Sequence, residues 1–121
     1  MTNDELRSQW EAYAAIWKLN GAKAKRAACA EHLSPSCVYT DPLTQREGWD
    51  ALVAYMLEFH QQVPGGHFVT RDFRAHHGRS VATWSMLAGD GAVLGEGISY
   101  GEYTEDGKVK TMTGFFEVPG A

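Results

Sequence analysis

The sequence predicts an α+β fold in which a strongly curved mixed or antiparallel sheet wraps around N-terminal helices to form a cone-shaped barrel. Three observations predict it. Helical periodicity is confined to the first half of the chain. From His67 onward the pattern changes to β-like runs separated by turn residues. The longest of those runs carries Gly95, Gly97 and Gly101, as expected of a sheet that bends hard around something. The 121 residues make one ordinary domain spanning 1–121, with no internal repeat and no low-complexity stretch to mark a boundary.

Each element follows from its local pattern. Thr2 and Glu5 have the spacing of a capping box and open the first helix. Leu6, Trp10, Tyr13 and Trp17 recur at steps of four, three and four, which places them on one face. Asn20-Gly21 stops that helix. An alanine-rich second helix is predicted over residues 22–33, ended by Ser34-Pro35-Ser36. Its Lys23, Lys25 and Arg26 read as a solvated face. Residues 37–41 read as a short strand, with Cys37, Tyr39 and Asp41 on one side and Val38 and Thr40 on the other. Pro42 ends it, and residues 43–48 read as a loop. The third helix is predicted over residues 49–63. Trp49, Leu52, Val53, Met56 and His60 form its buried stripe, with Tyr55 and Phe59 beside it. Pro64-Gly65-Gly66 is a strong stop. Four strands follow, over residues 67–76, 80–88, 92–104 and 108–118. His77-Gly78-Arg79, Gly89-Asp90-Gly91 and Glu105-Asp106-Gly107 turn the chain between them.

Composition narrows the function. A formal charge of −4 argues against a nucleic-acid binder, which needs clustered Lys and Arg for phosphate contacts. No apolar run reaches the length of a membrane span. The acidic start Met1-Thr2-Asn3-Asp4-Glu5 does not resemble a secretory leader. Cys29 and Cys37 make no disulfide framework and read as small buried side chains, so a cytoplasmic, reducing setting is the expectation. Gly65-Gly66 ends a helix rather than opening one, and Gly95 and Gly97 lie within a strand, so no phosphate loop is predicted. Side chains of the adjacent His76 and His77 diverge on a strand, so no metal site is expected.

Asp41 is the best single candidate for chemistry. Strand parity puts it on the side of Tyr39, toward the helices, where Trp17, Tyr39 and Trp84 would wall it from water. A carboxylate in that setting is a competent base for a proton α to a carbonyl, or an acid for dehydration. The alternative is that Asp41 is a turn residue, since Asp before Pro commonly caps a strand end. Tyr13, Tyr39 and His60 are the other candidate catalytic groups. Trp17 and Trp84, gathered with Ser99 and Met112, look more like a pocket lining than a close-packed core, because an indole N–H wants a partner. Trp49, Met56, Phe59, Phe68 and Phe116 complete the candidate ligand-binding set. Val81, Thr83 and Ser85 point to the opposite sheet face.

Several of these residues carry a resemblance. Trp17-Lys18-Leu19-Asn20 at the end of a helix, Tyr39-Thr40-Asp41-Pro42, and Gly48-Trp49 opening a helix resemble SnoaL-like proteins of the nuclear-transport-factor-two-like superfamily. The final hairpin, Tyr103-Thr104-Glu105-Asp106-Gly107-Lys108-Val109 with Gly114-Phe115-Phe116, is similar too. The resemblance covers nearly the whole chain and implies a cystatin-like α+β roll. The superfamily includes ketosteroid isomerases, polyketide cyclases, scytalone dehydratase and limonene-epoxide hydrolase, and also members without known activity, so fold alone does not imply function. From the ketosteroid isomerases it implies that Asp41 shuttles a proton, with Tyr13 or Trp17 in the region of a first oxyanion donor. It puts Ser99 where those enzymes keep a second donor, and Met56 where they keep a supporting tyrosine. His76 stands where scytalone dehydratase would need a strand histidine, and the Asp-Arg-Asp arrangement of limonene-epoxide hydrolase has no counterpart. The implied activity is a cofactor-independent isomerisation, cyclisation or dehydration of a small hydrophobic carbonyl compound. The alternative is a ligand-binding or dimerisation module without turnover. A homodimer through the open sheet face is the implied assembly.

Overall fold

The computed structural model describes residues 1–118. Its elements are α1 (Asn3–Ile16), α2 (Ala22–His32), β1 (Leu33–Asp41), β2 (Thr44–Glu47), α3 (Gly48–Gln62), β3 (His67–His76), β4 (Arg79–Leu87), β5 (Val93–Tyr103) and β6 (Val109–Phe115). The Thr2 side chain accepts from the Glu5 N–H, and the Glu5 carboxylate accepts from the Thr2 N–H, so the capping box opens α1. Leu6, Trp10, Tyr13 and Ile16 are its buried residues, and Trp17 follows at the C-cap.

One six-stranded sheet runs in the order β2-β1-β6-β5-β4-β3. β1 and β6 are parallel, and every other pair is antiparallel. The sheet is therefore mixed, and it stays open with β2 and β3 at its edges. Register shifts between Thr70 and Asp72, Met86 and Leu87, and Glu102 and Tyr103 add the local twist that bends it. The helices close the concave side, α1 against β3 and α3 against β1. Gly97 and Gly101 in β5 have a second role besides bending: a Cβ on Gly101 would stand 2.8 Å from the Trp10 ring, and one on Gly97 would overlap the Trp84 indole. Both glycines let an indole approach the backbone closely.

Three expectations need correction. β1 starts at Leu33, because Pro35 falls in the interruption of the β1–β6 ladder between Leu33 and Val38, where a missing N–H breaks no ladder bond. Residues 44–47, expected as loop, form β2, which pairs with β1 across the two-residue Pro42-Leu43 turn. Lys25, expected on a solvated face, is fully buried. Its ammonium reaches back 2.9 Å to the Ile16 carbonyl and 3.0 Å to that of Trp17, capping the last turn of α1. Taking that charge out of water pulls the Lys25 pKa down to about 8. On the opposite sheet face, Arg71, the extra residue of the β3 bulge, donates to the Ser85 hydroxyl and helps cover it.

Candidate functional site

A cavity of about 810 Å3 opens between α1, α3 and the concave face of the sheet. That volume suits a small organic molecule. Asp41, the last residue of β1, stands in its wall with 8% of its surface exposed. Tyr39 precedes it by one strand period and so shares its side; the Tyr39 hydroxyl donates to Asp41 Oδ2 at 2.6 Å. Tyr55 on α3 donates to the same oxygen at 2.7 Å. The other oxygen, Oδ1, accepts the backbone N–H groups of Leu43 at 2.8 Å and Thr44 at 3.1 Å. The turn reading of Asp41 describes Oδ1, which holds the β1–β2 turn, while Oδ2 gathers two phenols at the cavity.

The remaining wall is aromatic. The Trp17 indole contacts Tyr39 and Tyr55 with ring centroids 5.6 and 6.1 Å away, and Phe59 and Phe68 at 5.6 and 5.3 Å. Trp84 packs edge-on against Phe68 at 5.1 Å and Phe116 at 6.2 Å. Each of these two indoles donates to a hydroxyl that also lines the cavity. Trp17 Nε1 donates to the Tyr13 oxygen at 3.1 Å, and Trp84 Nε1 to the Ser99 oxygen at 2.9 Å. A hydroxyl that accepts from an indole keeps its own proton to donate and donates more strongly for it. Burial holds the phenols of Tyr13, Tyr39 and Tyr55 well above the usual tyrosine range; for Tyr39 and Tyr55 the Asp41 carboxylate adds to it. All three phenols are hydrogen-bond donors at neutral pH.

Five residues singled out in the sequence lie outside this cavity. His60 is one residue past Phe59, which rotates it about 100° around α3; its Nε2 donates to the Gly66 carbonyl at 3.1 Å and closes the helix end. Trp49, in the first turn of α3, donates to the carbonyls of Leu33 and Ser34 and ties α3 to the start of β1. Met56 and Met112 are close-packed core, 0% and 1% exposed. His76 lies at the β3–β4 turn with its Nδ1 3.2 Å from that of His77, on exposed surface away from the cavity. Among the described residues, no three His, Cys, Asp or Glu side chains come together as metal ligands.

The residue missed as a site group is Tyr55. The resemblance put Met56 where a supporting tyrosine stands; the structure buries Met56 in the core and brings its neighbour Tyr55 to Asp41. Its signal was spacing, since Tyr55 and Phe59 are one turn apart and present one aromatic strip. Arg46 of β2 gave no such signal. Its guanidinium lies 5.0 Å from the Tyr55 ring centroid. It donates to Thr44 Oγ1, the Ala51 carbonyl and Glu58, bracing the phenol from behind.

The comparisons agree with this architecture. The sequence pattern of the SnoaL-like domain matches residues 6–114. None of the curated protein sequences matches the chain. Among solved structures, a protein of Agrobacterium tumefaciens strain C58, provisionally named an isomerase of the SnoaL-like family, is 22% identical with a TM-score of 0.86, over 95% of this chain and 99% of that one. A protein of Jannaschia sp. CCS1, provisionally named a SnoaL-like polyketide cyclase, is 13% identical with a TM-score of 0.77, over 95% and 87%. TerC, co-crystallised with polyporic acid, is 13% identical with a TM-score of 0.74, over 93% and 92%. Others carry nuclear-transport-factor-two-like and cystatin-like folds. Likenesses this distant establish the fold, while the domain match spans nearly all of the sequence. The chain belongs to the SnoaL-like domain family.

Proposed function

We propose that the cavity receives a small hydrophobic carbonyl compound and that Asp41 moves a proton α to its carbonyl, in a cofactor-independent isomerisation, cyclisation or dehydration. The observation that carries this reading is the convergence of Tyr39 and Tyr55 on Asp41 Oδ2 at the wall of an otherwise aromatic cavity. Oδ2 takes the C–H proton when one phenol swings off it. Tyr55 is the one to move, being half-buried where Tyr39 is buried. The electron pair left behind runs into the carbonyl as an enolate. The freed Tyr55 proton, with those of Tyr13 and Ser99, supplies donors for the developing oxyanion, and the aromatic walls keep water out. Return of the proton to a different carbon gives isomerisation; attack of the enolate on a second carbonyl, whose alkoxide takes the proton from Asp41, gives cyclisation; departure of a β-hydroxyl as water, carrying that proton, gives dehydration. TerC, a chain of similar fold crystallised with polyporic acid, supports a cavity that accepts small organic molecules.

A panel of enolisable ketones and hydroxy-ketones tests this reading, with the parent compared against Asp41→Asn. The expected result is turnover of at least one compound by the parent and none by the variant. Equal inactivity of both across the panel removes the enzyme reading.

One observation favours a second reading, a ligand-binding module without turnover. All four acceptor positions of Asp41 are already filled, which suits a structural anchor as well as a base. Ligands would then stabilise the fold without being converted. In either case we assign a homodimer through the outer sheet face, where Val81, Ile98 and Phe115 are exposed on adjacent strands. Two free, buried cysteines support a cytoplasmic setting, and no helix of the described residues is long and apolar enough to cross a membrane.

A further inference from the structure

The charged side chains lining the cavity all carry one sign. They are Asp41, Glu58, Glu96 and Glu117, with no Lys, Arg or His among the described lining residues. Composition does not force this, because the whole chain has 11 Lys and Arg against 15 Asp and Glu. Glu58 is neutralised by Arg46, 3.1 Å away. Among the described residues no cation pairs with the other three. Asp41 is held only by neutral donors, two phenols and two amides. Glu96 and Glu117 are exposed where the cavity meets solvent, Glu96 on the outer side of β5 with Ile98. Between rim and floor the lining is aromatic, with Trp17, Phe59, Phe68 and Trp84.

Such a cavity discriminates by charge before it discriminates by shape. An anionic group on a ligand would enter a poorly solvated space already holding a carboxylate and pass two more at the mouth. A cation would be drawn by the same carboxylates. We infer that the ligand class is an apolar molecule without an anionic group, and that a protonated amine on the apolar body raises affinity. This rests on the proposed ligand cavity and names the charge it selects. The likeness to TerC, whose crystal holds a compound named as an acid, carries fold and not lining charge.

The test is a matched set on one scaffold: 2-naphthylethylamine, 2-naphthylethanol and 2-naphthylacetate. Binding is followed by tryptophan fluorescence and calorimetry at neutral pH, at low and high salt. The expected order is amine, alcohol, carboxylate, with about tenfold between amine and carboxylate at low salt, the size that a few partly screened charges supply, and less at high salt. The double variant Glu96→Gln, Glu117→Gln changes only exposed side chains. It should narrow the amine-to-carboxylate ratio by several-fold and leave the alcohol unchanged. A carboxylate that binds as tightly as the alcohol, or an amine that binds no more tightly, overturns the inference while leaving the cavity reading intact. A ratio unmoved by the double variant overturns the assignment to the rim. Failure of all three compounds to bind overturns the cavity reading and this inference with it.

Discussion

Asp41→Asn removes one charge and almost nothing of the side chain's shape, and its effect on stability can be worked from four bonds. The amide oxygen can keep the Leu43 and Thr44 N–H bonds now made to Oδ1. The β1–β2 turn therefore survives. The amide nitrogen then stands where Oδ2 stood and presents hydrogens to two phenol protons. Tyr39 and Tyr55, now 2.6 and 2.7 Å from that oxygen, must both turn their O–H groups away and accept instead. Two charge-assisted bonds, each about 1.5–3 kcal/mol, give way to at best two neutral ones of about 1 kcal/mol each, a loss of about 2.5 kcal/mol in the middle of the range. In a chain of this length that lowers Tm by roughly 6–10 °C. Thermal unfolding followed by circular dichroism at neutral pH reads the difference directly, and a retained far-ultraviolet spectrum shows that the fold is intact. A variant as stable as the parent, or more stable, would contradict that loss. It would mean that the desolvation cost of the carboxylate cancels what the phenols return.

Three further outcomes follow from the same structure. Lys25 has its pKa pulled down from 10.5 to about 8 by burial, so the folded state binds fewer protons than the unfolded chain between those values and stability from this group rises with pH across that window. Denaturant titrations of the parent and Lys25→Met should therefore diverge in the parent's favour by up to about 3 kcal/mol between pH 7 and 10.5, with a pH-independent difference as the contrary result. Gly97→Ala drives a methyl into the Trp84 indole and to 2.8 Å from the Phe115 carbonyl, which should break the Trp84–Ser99 bond. The expected cost is about 1–3 kcal/mol with a shifted tryptophan emission; an unchanged emission and stability would count against that packing. Phe115→Glu puts a charge on the outer sheet face and should convert a dimer into a monomer in sedimentation, whereas a parent that sediments as a monomer at micromolar concentration contradicts the assigned interface.

The elements legible in the sequence are those with local punctuation. Pro64-Gly65-Gly66, His77-Gly78 and Asp106-Gly107 mark turns that the structure places within a residue or two of expectation. β2 was illegible because Thr-Gln-Arg-Glu has no apolar alternation. It is a strand because the Asp41 carboxylate holds the turn and β1 offers a ladder, and both facts are tertiary. The parallel pairing of β1 with β6 joins opposite ends of the chain and leaves no local trace. At the site, strand parity placed Tyr39 beside Asp41 because a period of two is unambiguous. Helix α3 was less forgiving, since one residue is about 100° of rotation. That single step separates Tyr55 in the site from Met56 in the core, and Phe59 at the cavity from His60 at the helix end. Lys25 was misread for a different reason: a lysine between Lys23 and Arg26 looks solvated, and only the arrival of the α1 C-terminus shows what it caps.

The central claim is that Asp41 removes a proton α to the carbonyl of a bound ligand, whatever happens afterwards. Hydrogen–deuterium exchange isolates that step. A hydrophobic ketone shown by calorimetry to bind is incubated with the protein in D2O, and its α-deuterium content is followed by NMR. The account predicts exchange well above the buffer rate with the parent and the buffer rate with Asp41→Asn at equal occupancy. Buffer-rate exchange by the parent with the ketone saturating would contradict it and leave the cavity as a binding site alone.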